Sequence, residues 1–158
     1  MDHLSDESKI WIYQAERPLS YGEIKSISPM FESFCSNWTA HNSQLKASFE
    51  FVQNRFIILA VDESLNTASG CSIDKSVALL KSISEMLGIS LFERMQMIYL
   101  DKGEINDIHY NDVQEAFEKG IINAQTLFYN NSVQNLGEYR NGFLCPLKNH
   151  WLFSKISQ

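Results

Sequence analysis

Long apolar runs are missing from this chain, and none approaches the roughly 20 residues that a membrane-crossing helix needs. The opening residues, MDHLSDESK, supply neither a basic stretch nor an apolar one. No secretory signal is legible there, so a cytoplasmic setting without a membrane partner is expected. Cysteine is sparse and odd in number: Cys35, Cys71 and Cys145 lie far apart. That pattern argues for reduced thiols and against a disulfide framework. Positive charge is short as well, with 13 Lys and Arg against 19 Asp and Glu and a net charge of -6. Such a surface attracts phosphate backbones weakly, and the basic residues are scattered, so no nucleic-acid partner is expected. The 4 histidines form no H-x-x-x-H pair and no C-x-x-C occurs, which removes the usual zinc patterns. Asp62 and Glu63 could gather oxygens for a hard cation together with Asp101 or Asp107, but nothing in their spacing demands it. No metal and no cofactor are expected.

What is present is an ordinary globular composition, 44% apolar and 20% charged over 158 residues. That suits one compact domain, residues 1–158, read as a first half (1–103) and a C-terminal extension (104–158). Residues 9–14 (KIWIYQ) read as a strand. Ser20-x-x-Glu23 is a capping box. A helical pattern follows through Ile24, Ile27, Phe31, Phe34 and Trp38, with Pro29 predicting a kink or restart after Ser28. Residues 45–52 and the continuously apolar 55–62 (RFIILAVD) read as strands joined at Gln53-Asn54. Ile73, Val77, Leu80, Ile83 and Leu87 carry helical spacing, with Ser72 as the expected N-cap and Gly88 as the stop. Residues 95–100 form a further strand and Asp101-Lys-Gly103 a turn. The order β-α-β-β-α-β predicts an α+β, ferredoxin-like unit with 9–14 and 55–62 as an inner, parallel pair. The α/β extension holds a helix to Lys119 stopped by Gly120, a strand at 126–129, a turn at Asn130-Asn131 and a further helical turn after Asn135.

The chemistry concentrates in FIILAVDESLNTASGCSIDKS, Phe56 to Ser76. An apolar strand ending in Asp62-Glu63 looks like the Mg²⁺-binding strand of nucleotide hydrolases. Ser69 to Ser76 echoes the phosphate loop, but Ser69 and Asp74 stand where glycines are required, and the loop follows that strand when it should precede it. These departures argue against an ATPase. Ser72-x-x-Lys75 matches the S-x-x-K of penicillin-recognising enzymes, without their partner motifs. Cys71, at a helix start that favours a thiolate, is the candidate nucleophile for a thiol-dependent or redox-responsive protein, with His41, His109 and His150 as candidate bases. The broadest expectation is an anion site made by backbone amides, with Asp62, Glu63, Ser69, Gly70, Ser72 and Lys75 as the ligand-binding residues.

Trp38-Thr-Ala-His41, Asn54 to Ser64 and Ala68-Ser-Gly-Cys-Ser-Ile-Asp-Lys-Ser76 together resemble a family of short bacterial proteins often labelled "ABC transporter ATPase". The resemblance runs from Trp11-Ile-Tyr13 to Pro146 and Trp151. The label implies nucleotide hydrolysis, whereas this chain carries neither the phosphate loop nor the Leu-Ser-Gly-Gly signature. The expectation is therefore a non-catalytic binding or regulatory domain for a small anionic ligand or a protein partner. The alternatives are a Cys71 thiol protein and a homodimeric interaction module.

Overall fold

The computed structural model describes residues 1–64 and 66–156. They are mixed α+β and group into two compact units. The first is Met1–Glu93 with the short segment Gln134–Gly137; the second is Arg94–Val133 and the chain from Glu138 on.

In the first unit β1 (Lys9–Gln14) leads to α1 (Tyr21–Asn37), then to a small hairpin of β2 (Thr39–Ala40) and β3 (Ser43–Gln44). Next come β4 (Lys46–Val52), β5 (Phe56–Asp62) and α2 (Gly70–Leu87). The capping box forms as the sequence predicts: Ser20 Oγ accepts the Glu23 amide at 3.1 Å, and Glu23 Oε2 accepts the Ser20 amide at 2.7 Å. Pro29 does not break α1, which runs unbroken from Tyr21 to Asn37. Proline's fixed φ is helical, and its missing N–H leaves only the Lys25 carbonyl, on an exposed residue, without an intrahelical donor. Gly88 ends α2 in the left-handed region (φ 66), with the Ile89 amide returning to the Ser84 carbonyl.

The sheet order is β1-β5-β4, and both pairings are antiparallel. The expected parallel pairing of 9–14 with 55–62 is therefore corrected. The α1 crossover returns β4 in the direction of β1, and the tight turn after Val52 reverses the chain once. A strand placed between β1 and β4 must then oppose both. Gln53 and Asn54 take positive φ (54° and 52°) to make that turn. The fourth strand of a ferredoxin-like sheet is also absent from this position. Gln96–Asp101 has both its edges paired elsewhere, and β1's free edge instead receives a bridge from Phe92 to Gln14 and another from Asn135 to Lys9.

All seven residues of β5 are buried. Ile57 and Leu59 meet Ile27 and Phe31 of α1 and Leu80 and Ile83 of α2 in the core. Each such side chain contributes about 1.5–3 kcal/mol when fully buried. Phe31 stacks on Phe49 and meets Phe51 edge-on, fixing α1 over β4. Arg55 is buried, and its Nε and Nη2 donate to the carbonyls of Ala15 (2.8 Å) and Glu16 (3.0 Å), pinning the chain between β1 and α1.

The second unit is built on an antiparallel sheet of order β7-β6-β8-β9. Its strands are β6 (Gln96–Asp101), β7 (Glu104–His109), β8 (Leu127–Tyr129) and β9 (Leu144–Pro146). Lys102 (φ 50) and Gly103 (φ 82) form the two-residue turn between β6 and β7. Helix α3 (Val113–Glu118) ends at Gly120 (φ 70) as expected, and α4 (Leu136–Gly142) forms despite its glycines. Val113, Ala116, Ile122, Phe128, Leu147 and Leu152 make the core.

Candidate functional site

The stretch from Asp62 to Ser76 folds by satisfying itself. Asp62, at the end of β5, stands opposite Lys46 on β4. Its Oδ2 pairs with Lys46 Nζ at 3.1 Å and its Oδ1 accepts the Ser64 amide at 3.0 Å. Hydrogen bonds from Ser64 and then from Lys46 hold this carboxyl down at about 2. Glu63 Oε1 accepts the Ala68 amide at 2.8 Å. Both carboxylates that suggested a cation or a nucleotide are thus engaged in closing the loop.

The helix start lies three residues earlier than expected. Ser69, not Ser72, is the N-cap, its Oγ accepting the Ser72 amide at 3.2 Å. Ser72 is buried inside the first turn and its hydroxyl donates to the Ser69 carbonyl at 2.7 Å. That bond and that burial leave it unable to act as the serine nucleophile of an S-x-x-K site. The Ser72 carbonyl in turn accepts Trp38 Nε1–H at 2.8 Å. Trp38 is 1% exposed and packs with Ala40, Leu45, Val61 and Ala68. It locks the α2 N-terminus to the β2–β3 hairpin, a positioning role that its aromatic spacing alone did not reveal.

Gly70, Cys71 and Lys75 remain on the surface of that first turn. A Cβ at Gly70 would meet nothing within 4 Å. Cys71 is the exposed cysteine of the three, and no hydrogen-bond partner for its sulfur is found among the described residues. His41 lies in the β2–β3 turn at φ 50. His109 and His150 belong to the other unit, where their Nδ1 atoms accept the amides of Asn111 and Leu152. Of the predicted ligand-binding residues, Ser69 and Ser72 bond to each other, while Asp62 and Glu63 bond to Lys46, Ser64 and Ala68, and Gly70 and Lys75 stand exposed on the first turn of α2. Among the described residues no three His, Cys, Asp or Glu groups cluster as a metal site would require. No helix of the described chain is long and apolar enough to cross a membrane.

The second unit carries an open cavity of about 410 Å³, lined by Asn130, Ser132, Val133, Glu138, Asn141, Gly142, Cys145 and Asn149. Asn130 follows β8 and its Oδ1 accepts both the Ser132 amide (3.0 Å) and hydroxyl (2.6 Å). The Cys145 thiol on β9 is pushed up by burial. Three of the eight lining residues, Asn130, Asn141 and Asn149, carry side-chain amides, which both donate and accept, and Glu138 is the carboxylate among them. Nothing in the sequence spacing signalled this cavity, because its asparagines come from a turn, a helix and a 3-10 turn. Comparison with protein-family models, with curated proteins and with solved structures finds no match.

Proposed function

We propose that the chain is a non-catalytic binding protein that takes a small, uncharged polar ligand in the cavity of its second unit. The carrying observation is the amide lining, Asn130, Asn141 and Asn149 with Ser132, around a volume of about 410 Å³. Groups that donate and accept at once suit a ligand built of hydroxyls and amides, and they offer no matched charge to an ion. Thermal melting against glycerol, acetamide, N-acetylglucosamine and inorganic phosphate tests it. A neutral compound is expected to raise the melting temperature, with the effect reduced in Asn130→Ala and Asn149→Ala. No shift with any neutral probe would sink the reading.

The same panel tests an anion site at the start of α2. A phosphate-dependent shift lost in Lys75→Ala would support it; the neighbouring carboxylates of Asp62, Glu63 and Asp74 count against it. A homodimeric reading is favoured by β4, an outer strand with no neighbour on its far side among the described residues. Molar mass in solution checks that directly.

A further inference from the structure

His150 is 4% exposed and joins two segments of the second unit. Its Nδ1 accepts the Leu152 amide at 3.1 Å, so the ring proton sits on Nε2, which faces the Tyr129 carbonyl at 3.3 Å. A neutral imidazole thereby ties the end of β8 to the 3-10 turn Trp151–Lys155. Both ends of the tie adjoin the cavity: Asn130 follows Tyr129, and Asn149 precedes His150. Cys145, also in the lining, pairs with Phe128, whose ring centroid is 5.9 Å from the imidazole. A second ring proton has no acceptor here. It would turn Nδ1 into a donor facing the Leu152 N–H, and the cost of the lost bond is compounded by a charge in a buried site.

We propose that His150 is a proton-operated latch on this cavity. Its protonation breaks the Leu152 amide bond to Nδ1 and drives the charged ring out of its buried seat, which loosens the walls carrying Asn130 and Asn149 and weakens the hold on a neutral polar ligand as pH falls. The ligand part rests on the function proposed above; the latch itself needs no ligand. Burial lowers the His150 pKa, and the Tyr129 hydrogen bond opposes that only in part. The titratable groups on the packed elements are Tyr129 and Cys145 on the strands, Lys148 and Lys155 on the 3-10 turns, and Tyr110 stacked on Trp151 at 6.3 Å. None of these is a carboxylate, and Asp112, on the same 3-10 turn as Tyr110, is exposed. Glu115 and Glu118 of α3 are exposed and engaged by Lys119 and Gln114, and Glu138 lines the cavity.

Hydrogen exchange at the Leu152 amide, read by NMR across pH, tests the latch. Its protection factor is expected to fall about tenfold per pH unit between the ordinary histidine value, about 6.5, and the lower native value. The side-chain amide signals of Asn130 and Asn149 are expected to move over the same window. His150→Gln keeps one acceptor and one donor but cannot titrate, so its Leu152 protection should stay flat; Glu138→Gln should keep the fall. Flat protection in the wild type, or an equal fall in His150→Gln, overturns the latch. Should His150→Gln not fold, imidazole ¹⁵N shifts of the wild type decide: an Nδ1 that is still an acceptor at the low-pH end, where Leu152 protection has stopped falling, overturns it as well. A panel of neutral probes that never binds removes the ligand reading and leaves this measurement intact. Binding that is pH-independent across the window overturns the latch alone.

Discussion

Two carboxylates, Glu23 and Asp62, sit at about 2 for the same physical reason: charged or polar donors meet both of their oxygens. The Arg17 guanidinium engages Glu23 through two bonds, 2.7 Å and 3.0 Å, and the Ser20 amide adds a third. A native value below the unfolded one means that the unfolded chain binds the proton first. The stabilisation is then complete above the ordinary carboxylate range, about 4, and is lost as pH falls toward 2. Denaturant midpoints measured down this range are expected to fall in the wild type and to fall less steeply in Lys46→Ala, where Asp62 has lost a partner. The three cysteines should separate by burial. Cys35 is pushed up to about 11 by burial in the first core, Cys145 is raised for the same reason, and Cys71 is exposed. Brief alkylation of the native protein, read by mass spectrometry, is expected to label Cys71 first, Cys145 more slowly through the cavity, and Cys35 only on unfolding. Equal labelling of all three would contradict the packing described.

At the scale of the elements, β5 and α2 supply four buried residues of the first core, Ile57, Leu59, Leu80 and Ile83, and α1 supplies three, Ile27, Phe31 and Cys35. Leu59→Ala is expected to cost about 2–5 kcal/mol by chemical denaturation, because the cavity would open between two helices and a sheet. Ser69→Ala should cost about 0.5–2 kcal/mol through the lost cap. Pro29→Ala should stabilise α1, by up to about 3 kcal/mol, since the helix already runs through that position and gains a donor for the Lys25 carbonyl. A loss of stability there would show that the proline ring packs in a way that its exposure does not suggest. The helices and the central strand were legible in sequence because their apolar periods are long and their boundaries explicit, a start at Ser20 and stops at Gly88 and Gly120. The start of α2 was not, because Ser69 and Ser72 can both cap and the choice depends on Trp38, 34 residues away. Strand β7 (EINDIH) was missed because it offers two isoleucines among polar residues, and the β2–β3 hairpin because each strand has two residues. The direction of β1 against β5 depends on which strand is inserted between which, and local periodicity carries no such information. The Asp62–Glu63 cluster was found by its residue types, whereas their engagement follows from the register that sets Lys46 opposite Asp62.

At the scale of the whole molecule, the two units are not consecutive pieces of chain. The polypeptide leaves the first at Glu93, returns for Gln134–Gly137, and leaves again. That brief return supplies β1's edge with two backbone bonds, Ile10 N–H to the Gln134 carbonyl at 3.1 Å and Leu136 N–H to the Ser8 carbonyl at 2.9 Å. Its Gly137 amide also reaches the Asp6 carbonyl at 2.9 Å, where a Cβ would come within 3.1 Å of the Asp6 side chain. A fragment ending at residue 93 would lack all three bonds, each contributing about 0.5–1.5 kcal/mol. A fragment beginning at residue 94 would carry a tetrapeptide folded for another host. The chain therefore has no single cut that yields two whole parts. A protease that nicks one connection should leave both products bound together under native conditions and separate them only in denaturant. A circular permutant, by contrast, keeps every strand neighbour while moving the ends. This one short return makes the domain boundary a property of three-dimensional contact and not of sequence position.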